Sequence, residues 1–125
     1  ISSNPIDCIP EYIRNFTNLI SIAISDIKQK PLPVWLGDLK QLKHINISLN
    51  KLYEIPTWLQ NLNELETLNI SSNTLKSLPD WICDFKKLKF LNFSCQRIET
   101  FPDCLNRLIA KGCKIESTYT GFKAS

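Results

Sequence analysis

The side chains that most often carry chemistry are few in this sequence and do not cluster. His44 is the single histidine, which excludes any metal site built on two imidazoles. Five cysteines, Cys8, Cys83, Cys95, Cys104 and Cys113, are scattered without a Cys-x-x-Cys pair. An odd number at loose spacing argues against a disulfide framework, so the expectation is free thiols in a reducing compartment. His44 could serve as an acid or base, but the pattern places no Ser, Cys or carboxylate beside it. A phosphate-binding loop and a glycine-rich fingerprint are absent, and there are only three glycines. No catalytic residue, metal ligand or cofactor is therefore expected.

Bulk properties exclude other classes. The 125 residues fit one domain. Fifteen basic and twelve acidic side chains leave a net charge of +3, too balanced to predict nucleic-acid or membrane binding. Hydrophobic residues make up 43%, enough for a folded core. No apolar run approaches the ~18 residues of a membrane-spanning helix. Methionine is absent and the chain opens at Ile1, so a processed chain or a piece of a longer one is expected.

The elements that must position any site are revealed by a repeat. Pro10, Pro33, Pro56, Pro79 and Pro102 stand 23 residues apart, and Trp35, Trp58 and Trp81 follow at the same step. Apolar positions recur with them: Leu65, Leu68, Ile70, Leu75, Leu78, Ile82 and Phe85 in one unit, Leu88, Leu91, Phe93, Ile98, Phe101, Leu105 and Leu108 in the next. Ile1-Ser2-Ser3-Asn4 repeats Ile70-Ser71-Ser72-Asn73, so the frame is expected to open in mid-repeat. A unit this short cannot offset its own ordering entropy, so the units must stack and share contacts.

Each unit predicts a short strand, then a turn, then a helical turn. Leu68 and Ile70 share the inward face of a strand, leaving Asn69 and Ser71 outward. Asn73 can satisfy backbone groups of the turn that follows. Pro79 suits the first position of a helical turn over 79–85. Strands stack in parallel on one side and turns on the other, and the bulkier turns force the stack to curve. At the end, the pattern predicts a helix over 105–111 with Gly112 as its C-cap. A last short strand at Cys113-Lys114-Ile115 and a polar tail over 117–125 follow. The expected organisation is repeats over 1–110 and a C-terminal cap with a tail over 111–125.

The pattern LxxLxIxxNxLxxLPxxLxxL resembles the leucine-rich repeat family in its 23-residue Leu-Pro form, over residues 1 to about 110. The variable half is similar to the repeats of intracellular scaffolds and of bacterial proteins, including effectors injected into host cells. The resemblance implies an α/β fold: a leucine-rich-repeat solenoid, a horseshoe arc of about five coils with a concave parallel β-sheet and short convex helical turns. Two departures stand out. The asparagine ladder reads Asn4, Ile27, Asn50, Asn73, Gln96, so the Ile27 turn lacks its amide. The Trp column occupies positions that are usually polar.

The resemblance also implies binding through the exposed face of the concave sheet. The outward columns are Ile20, Lys43, Glu66, Lys89; then Ser21, His44, Thr67, Phe90; then Ala23, Asn46, Asn69, Asn92. Ser2, Ser25, Ser48, Ser71 and Ser94 form a fourth, and Ser3, Asp26, Leu49, Ser72 and Cys95 a fifth. Phe90 is the outward aromatic, flanked by Lys43, Lys89 and His44, and aromatics make good binding anchors. The candidate partner-binding residues are Lys43, His44, Asn46, Glu66, Thr67, Asn69, Lys89, Phe90 and Asn92. A plain alternative is that stacked asparagines hydrogen-bond along their column. Three of these asparagines begin Asn-x-Ser sequons, at Asn46, Asn69 and Asn92, and Asn15 begins a fourth. Glycans there would block the face, so a protein that never meets glycosylation machinery is expected. The Trp column reads as a spacer between repeats or as an aromatic ridge. Lys28, Lys30, Lys51, Lys76 and Arg97 form a row that is either solvated or faces an acidic partner.

The implied function is a non-enzymatic protein–protein interaction module that binds a partner protein. It would belong to a bacterial effector or a cytoplasmic scaffold, acting in the cytoplasm or inside a host cell after secretion. No nucleic acid, membrane or small-molecule substrate is expected as partner. The alternatives are the substrate-recognition domain of a larger ligase or kinase, and a structural spacer.

Overall fold

The computed structural model describes residues 9–26, 32–94, 96 and 98–118. Five strands form one parallel sheet in chain order: β1 (Ser21–Ala23), β2 (His44–Asn46), β3 (Thr67–Asn69), β4 (Phe90–Asn92) and β5 (Lys114–Glu116). The first four pair at the repeat interval, with Ile22 opposite Ile45, Ile45 opposite Leu68 and Leu68 opposite Leu91. These central residues are buried, and their two neighbours in each strand face out. The expected alternation and register are therefore present, and three residues per strand suffice because every coil adds another.

Helical turns close the coils over Glu11–Asn15, Val34–Asp38, Thr57–Asn61 and Asp80–Asp84. Each follows one of the repeating prolines. The carbonyls of Pro10, Pro33, Pro56 and Pro79 accept from Ile13, Leu36, Leu59 and Ile82, three residues on, at 3.1–3.2 Å. That spacing makes the turns 3-10 rather than α-helical. It also places proline just before the helical turn and not at its first position: Pro79 is extended, with φ −73° and ψ 152°. The missing N–H costs nothing there, and the fixed φ pre-sets the bend.

The last coil is the exception. α1 (Leu105–Ala110) is α-helical, and Gly112 follows it at φ 95°. Gly112 N donates to Ile109 O at 2.9 Å and Cys113 N to Leu108 O at 3.0 Å. These two bonds form a Schellman motif, and they turn the chain into β5. The strand runs over 114–116, one residue later than its sequence pattern indicates.

The interior is a continuous apolar column from Ile9 to Cys113. Its buried amides, Asn50 and Asn73, form the expected ladder. Asn73 Nδ2 reaches the carbonyls of Ile47, Ile70 and Ser71 at 3.0–3.3 Å, and its Oδ1 accepts from the backbone N–H groups of Asn50 and Leu52. Gln96 makes the same bonds one coil on, to Ile70 and Phe93 carbonyls and from Leu75 N–H. Its extra methylene does not break the pattern. Asn4 and Ile27 lie outside the described residues, as do Lys28, Lys30 and Arg97 of the basic row and most of the polar tail.

The tryptophans pack inward. Trp58 is 6% exposed, while Trp35 and Trp81 are half-buried against the same core. Gly37 lets Trp58 in: a Cβ built on Gly37 would stand 3.0 Å from both the Cβ and the carbonyl oxygen of Trp58. The column is thus a spacer between turns rather than a free aromatic ridge.

The cysteine expectation fails at two positions. Cys83 and Cys104 form a disulfide, with Cα atoms 6.1 Å apart. Spacing of 21 residues looks loose in sequence, but stacking carries each residue past its counterpart 23 positions earlier. Cys104 stands in the Trp column, directly beyond the turn that holds Cys83. Cys113 is buried and free, and burial pushes its thiol pKa up. Cys8 and Cys95 lie outside the described residues.

Candidate functional site

The solvent face of the sheet collects the predicted residues. Glu66 N and Thr67 N both donate to Lys43 O, and Lys89 N and Phe90 N both donate to Glu66 O, at 2.7–3.1 Å. These bonds fix the side chains of 43, 66 and 89 side by side at the strand spacing of about 4.8 Å. The result is an ion-pair triad: Glu66 lies 3.0 Å from Lys89 Nζ and 3.7 Å from Lys43 Nζ. The hydrogen bond from Lys89 holds the Glu66 carboxyl below its usual range, against partial desolvation, with smaller help from the charges of Lys89, Lys43 and His44. The lysines expected to flank Phe90 are thus engaged by Glu66.

The second column is assembled as predicted, His44 beside Thr67 and Thr67 beside Phe90. His44 Nδ1 lies 2.9 Å from Thr67 Oγ1. This pair is a feature the spacing contained, since the two residues are one repeat apart. His44 is exposed and Phe90 is half-buried, so the aromatic is partly recessed rather than protruding. Around it lies a shallow depression of about 210 Å³, lined among others by Ser21, Ala23, His44, Asn46, Thr67, Asn69 and Phe90. Five predicted residues therefore meet at one place. Lys43, Glu66, Lys89 and Asn92 lie beside it.

The asparagine column does not behave as a hydrogen-bonded stack. Asn46 Oδ1 accepts from Ser48 N at 3.0 Å and from Ser48 Oγ at 2.7 Å, within its own coil. Asn69 with Ser71, and Asn92 with Ser94, repeat these bonds. A backbone N–H can be met only by the amide oxygen, which fixes the orientation of each amide. The three NH₂ groups then have no partner among the described residues. The local Asx-type geometry outcompetes the column because each serine offers two donors at closer reach.

Beyond the triad runs a second groove of about 310 Å³, where Glu66 and Lys89 meet Lys86, Lys87, Lys111 and an apolar floor of Phe85, Leu88 and Leu108. These lysines precede β4 and β5 on the entry loops, so they belong to none of the outward strand columns. At the other end of the strands, Leu49 is 58% exposed with φ 59°, matching the left-handed Asp26 and Ser72 of its column. A larger cavity of about 680 Å³ lies away from the sheet, beside Val34, Tyr53 and Trp58. It gathers none of the predicted residues. Among the described residues, no group of three or more His, Cys, Asp or Glu is placed to hold a metal ion, and no helix is long and apolar enough to cross a membrane.

The leucine rich repeat family profile matches residues 32–75 and again 55–98. Among solved structures, a leucine-rich repeat protein of Leptospira interrogans superposes with a TM-score of 0.78 over 92% of this chain, at 22% identity. The chain spans about a third of that protein, 34% of its length. No curated protein matches the chain closely enough to be called a relative.

Proposed function

The chain belongs to the leucine-rich repeat family, and from that premise we propose that it is a non-enzymatic recognition module whose sheet face binds a partner protein. Family membership supports the coarse statement, since these repeats generally serve protein–protein interaction. One observation carries the choice of surface. The repeat register brings His44, Asn46, Thr67, Asn69 and Phe90 around a single depression on a sheet face that no other described element covers. A preformed face of this kind loses little ordering entropy on binding. The His44–Thr67 pair remains open to solvent, which favours a contact role over proton transfer.

The cytoplasmic expectation rested mainly on unpaired thiols, and the Cys83–Cys104 disulfide removes that support. The sequons on the sheet face still favour a setting without N-glycosylation. We propose a place of action that meets both conditions, an oxidising compartment such as a bacterial periplasm or cell surface. An exported or surface-held bacterial protein fits this better than a cytosolic scaffold or an effector acting inside a host cell. The alternative, a substrate-recognition unit of a larger enzyme, uses the same face.

The test is alanine substitution at Phe90, His44 and Asn69, compared with Val34→Ala and Tyr53→Ala on the other side. Loss of partner retention from the first set alone, with unchanged melting, supports the proposal. Loss from the second set alone contradicts it.

A further inference from the structure

Resting on that reading, we infer that the partner presents an acidic peptide segment, whose carbonyl and carboxylate oxygens meet the asparagine column while its charge rests on the lysine groove beside β4 and β5. Two independent observations point to this chemistry.

The first is hydrogen-bond sense. Asn46, Asn69 and Asn92 have their amide oxygens occupied by serine groups, so what they offer outward is N–H alone. Three such donors repeat at the strand spacing of about 4.8 Å. Lys43, Lys89 and Lys114 add only donors to the same face. Of the carboxylates on the outward columns, Glu66 is already bracketed by Lys43 and Lys89, while Asp26 follows β1 and Glu116 lies in β5, at the two ends of the sheet. Donors therefore predominate on this face, and a surface rich in acceptors complements it.

The second is charge segregation. Residues 86–114 contain seven basic and two acidic side chains, a net +5 in a chain whose total is +3. The rest of the chain is therefore net negative. Lys86, Lys87 and Lys111 line the groove that continues from Glu66 and Lys89. Lys86 and Lys111 are exposed and make no ion pair among the described residues, whereas Lys87 is held 2.6 Å from Glu64. An anionic segment would be steered to this end of the molecule.

A peptide fits better than a nucleic acid. Polyphosphate affinity grows with the number of phosphates neutralised, and here the cationic zone is confined to the last two coils beside a negative remainder. Single-strand binding also uses successive aromatic platforms, and the described sheet strands offer one aromatic, Phe90.

The experiment is fluorescence anisotropy of the 125-residue chain with a short labelled peptide of alternating Glu and Ser. Counter-probes are the same peptide with Gln for Glu, and single-stranded oligothymidylate of equal charge. The expectation is that the Glu peptide binds at least about tenfold more tightly than either counter-probe. Lys86→Glu with Lys111→Glu should weaken it about tenfold. Asn69→Asp keeps the oxygen that Ser71 uses but removes the donor, and should weaken binding without moving the melting temperature. Glu66→Gln should act in the opposite sense and tighten binding, because Lys43 and Lys89 lose their competing carboxylate. Equal binding of the Gln peptide, tighter binding of the oligonucleotide, no binding of the Glu peptide, or weaker binding by Glu66→Gln would each overturn the inference. If Phe90→Ala releases a captured partner that Lys86→Glu with Lys111→Glu still retains, the sheet-face reading stands and the acidic segment fails.

Discussion

Asn73 shows how a single side chain holds two coils. Its amide serves carbonyls of both its own coil and the preceding one, and its oxygen receives two N–H groups of that earlier coil. Leaving buried backbone groups unpaired costs about 1–3 kcal/mol each. Asn73→Ala is therefore expected to lower stability by about 3 kcal/mol or more, measured by urea denaturation. The position was legible in the sequence, because the Asn column stands in fixed register with the leucines. The outward asparagines were not equally legible. Asn46 and Asn73 are the same residue type, yet in the folded chain one bonds to a serine two residues on while the other bonds across coils. Burial decides between them: Asn46 is half-exposed and keeps a donor free, whereas Asn73 is buried and spends every atom.

At the scale of elements, the strands needed little beyond periodicity. Three residues with one buried position are enough when each strand is flanked by neighbours in identical register. The helical turns were less legible. A 23-residue coil with proline at its turn could be closed by an α or a 3-10 segment, and the sequence pattern does not distinguish them. The three tryptophans sharpen the point. A Trp column reads equally as ridge or spacer, and Gly37 settles the matter by letting the next turn approach until Trp58 is enclosed. Gly37→Ala should force the two turns apart by a few tenths of an ångström and cost about 1–3 kcal/mol. A fall in melting temperature with unchanged far-UV circular dichroism is the expected result. Gly112 answers a different need, a left-handed C′ position that ends α1 and starts β5.

For the molecule as a whole, the family and fold follow from residues alone, while the cysteine chemistry does not. Counting spacing along the chain misjudges neighbours in a stack, where positions about one repeat apart are adjacent. Cys83 and Cys104 sit on the last two turns, so their bond ties the C-terminal coil to the one before it. Closing such a loop stabilises a folded chain by about 2–4 kcal/mol. Alkylation in denaturant without reductant should leave Cys83 and Cys104 unmodified, a reductant should make both reactive, and in the folded protein the reductant should lower the melting temperature. Modification of both before reduction would remove the disulfide and restore the argument for a reducing compartment. The end coils also matter for charge: the basic excess of residues 86–114 disappears in a whole-chain average, so bulk composition does not reveal it.

Which side of the stack meets a partner decides the function proposed for this chain. A photo-crosslinking phenylalanine analogue placed at Phe90, and in a separate chain at Tyr53, addresses this directly. Tyr53 is 78% exposed beside the cavity on the far side of the coils. Covalent partner adducts from position 90 and none from position 53 are the expected result. Adducts from position 53 alone would contradict the account and move recognition to the turn side of the molecule.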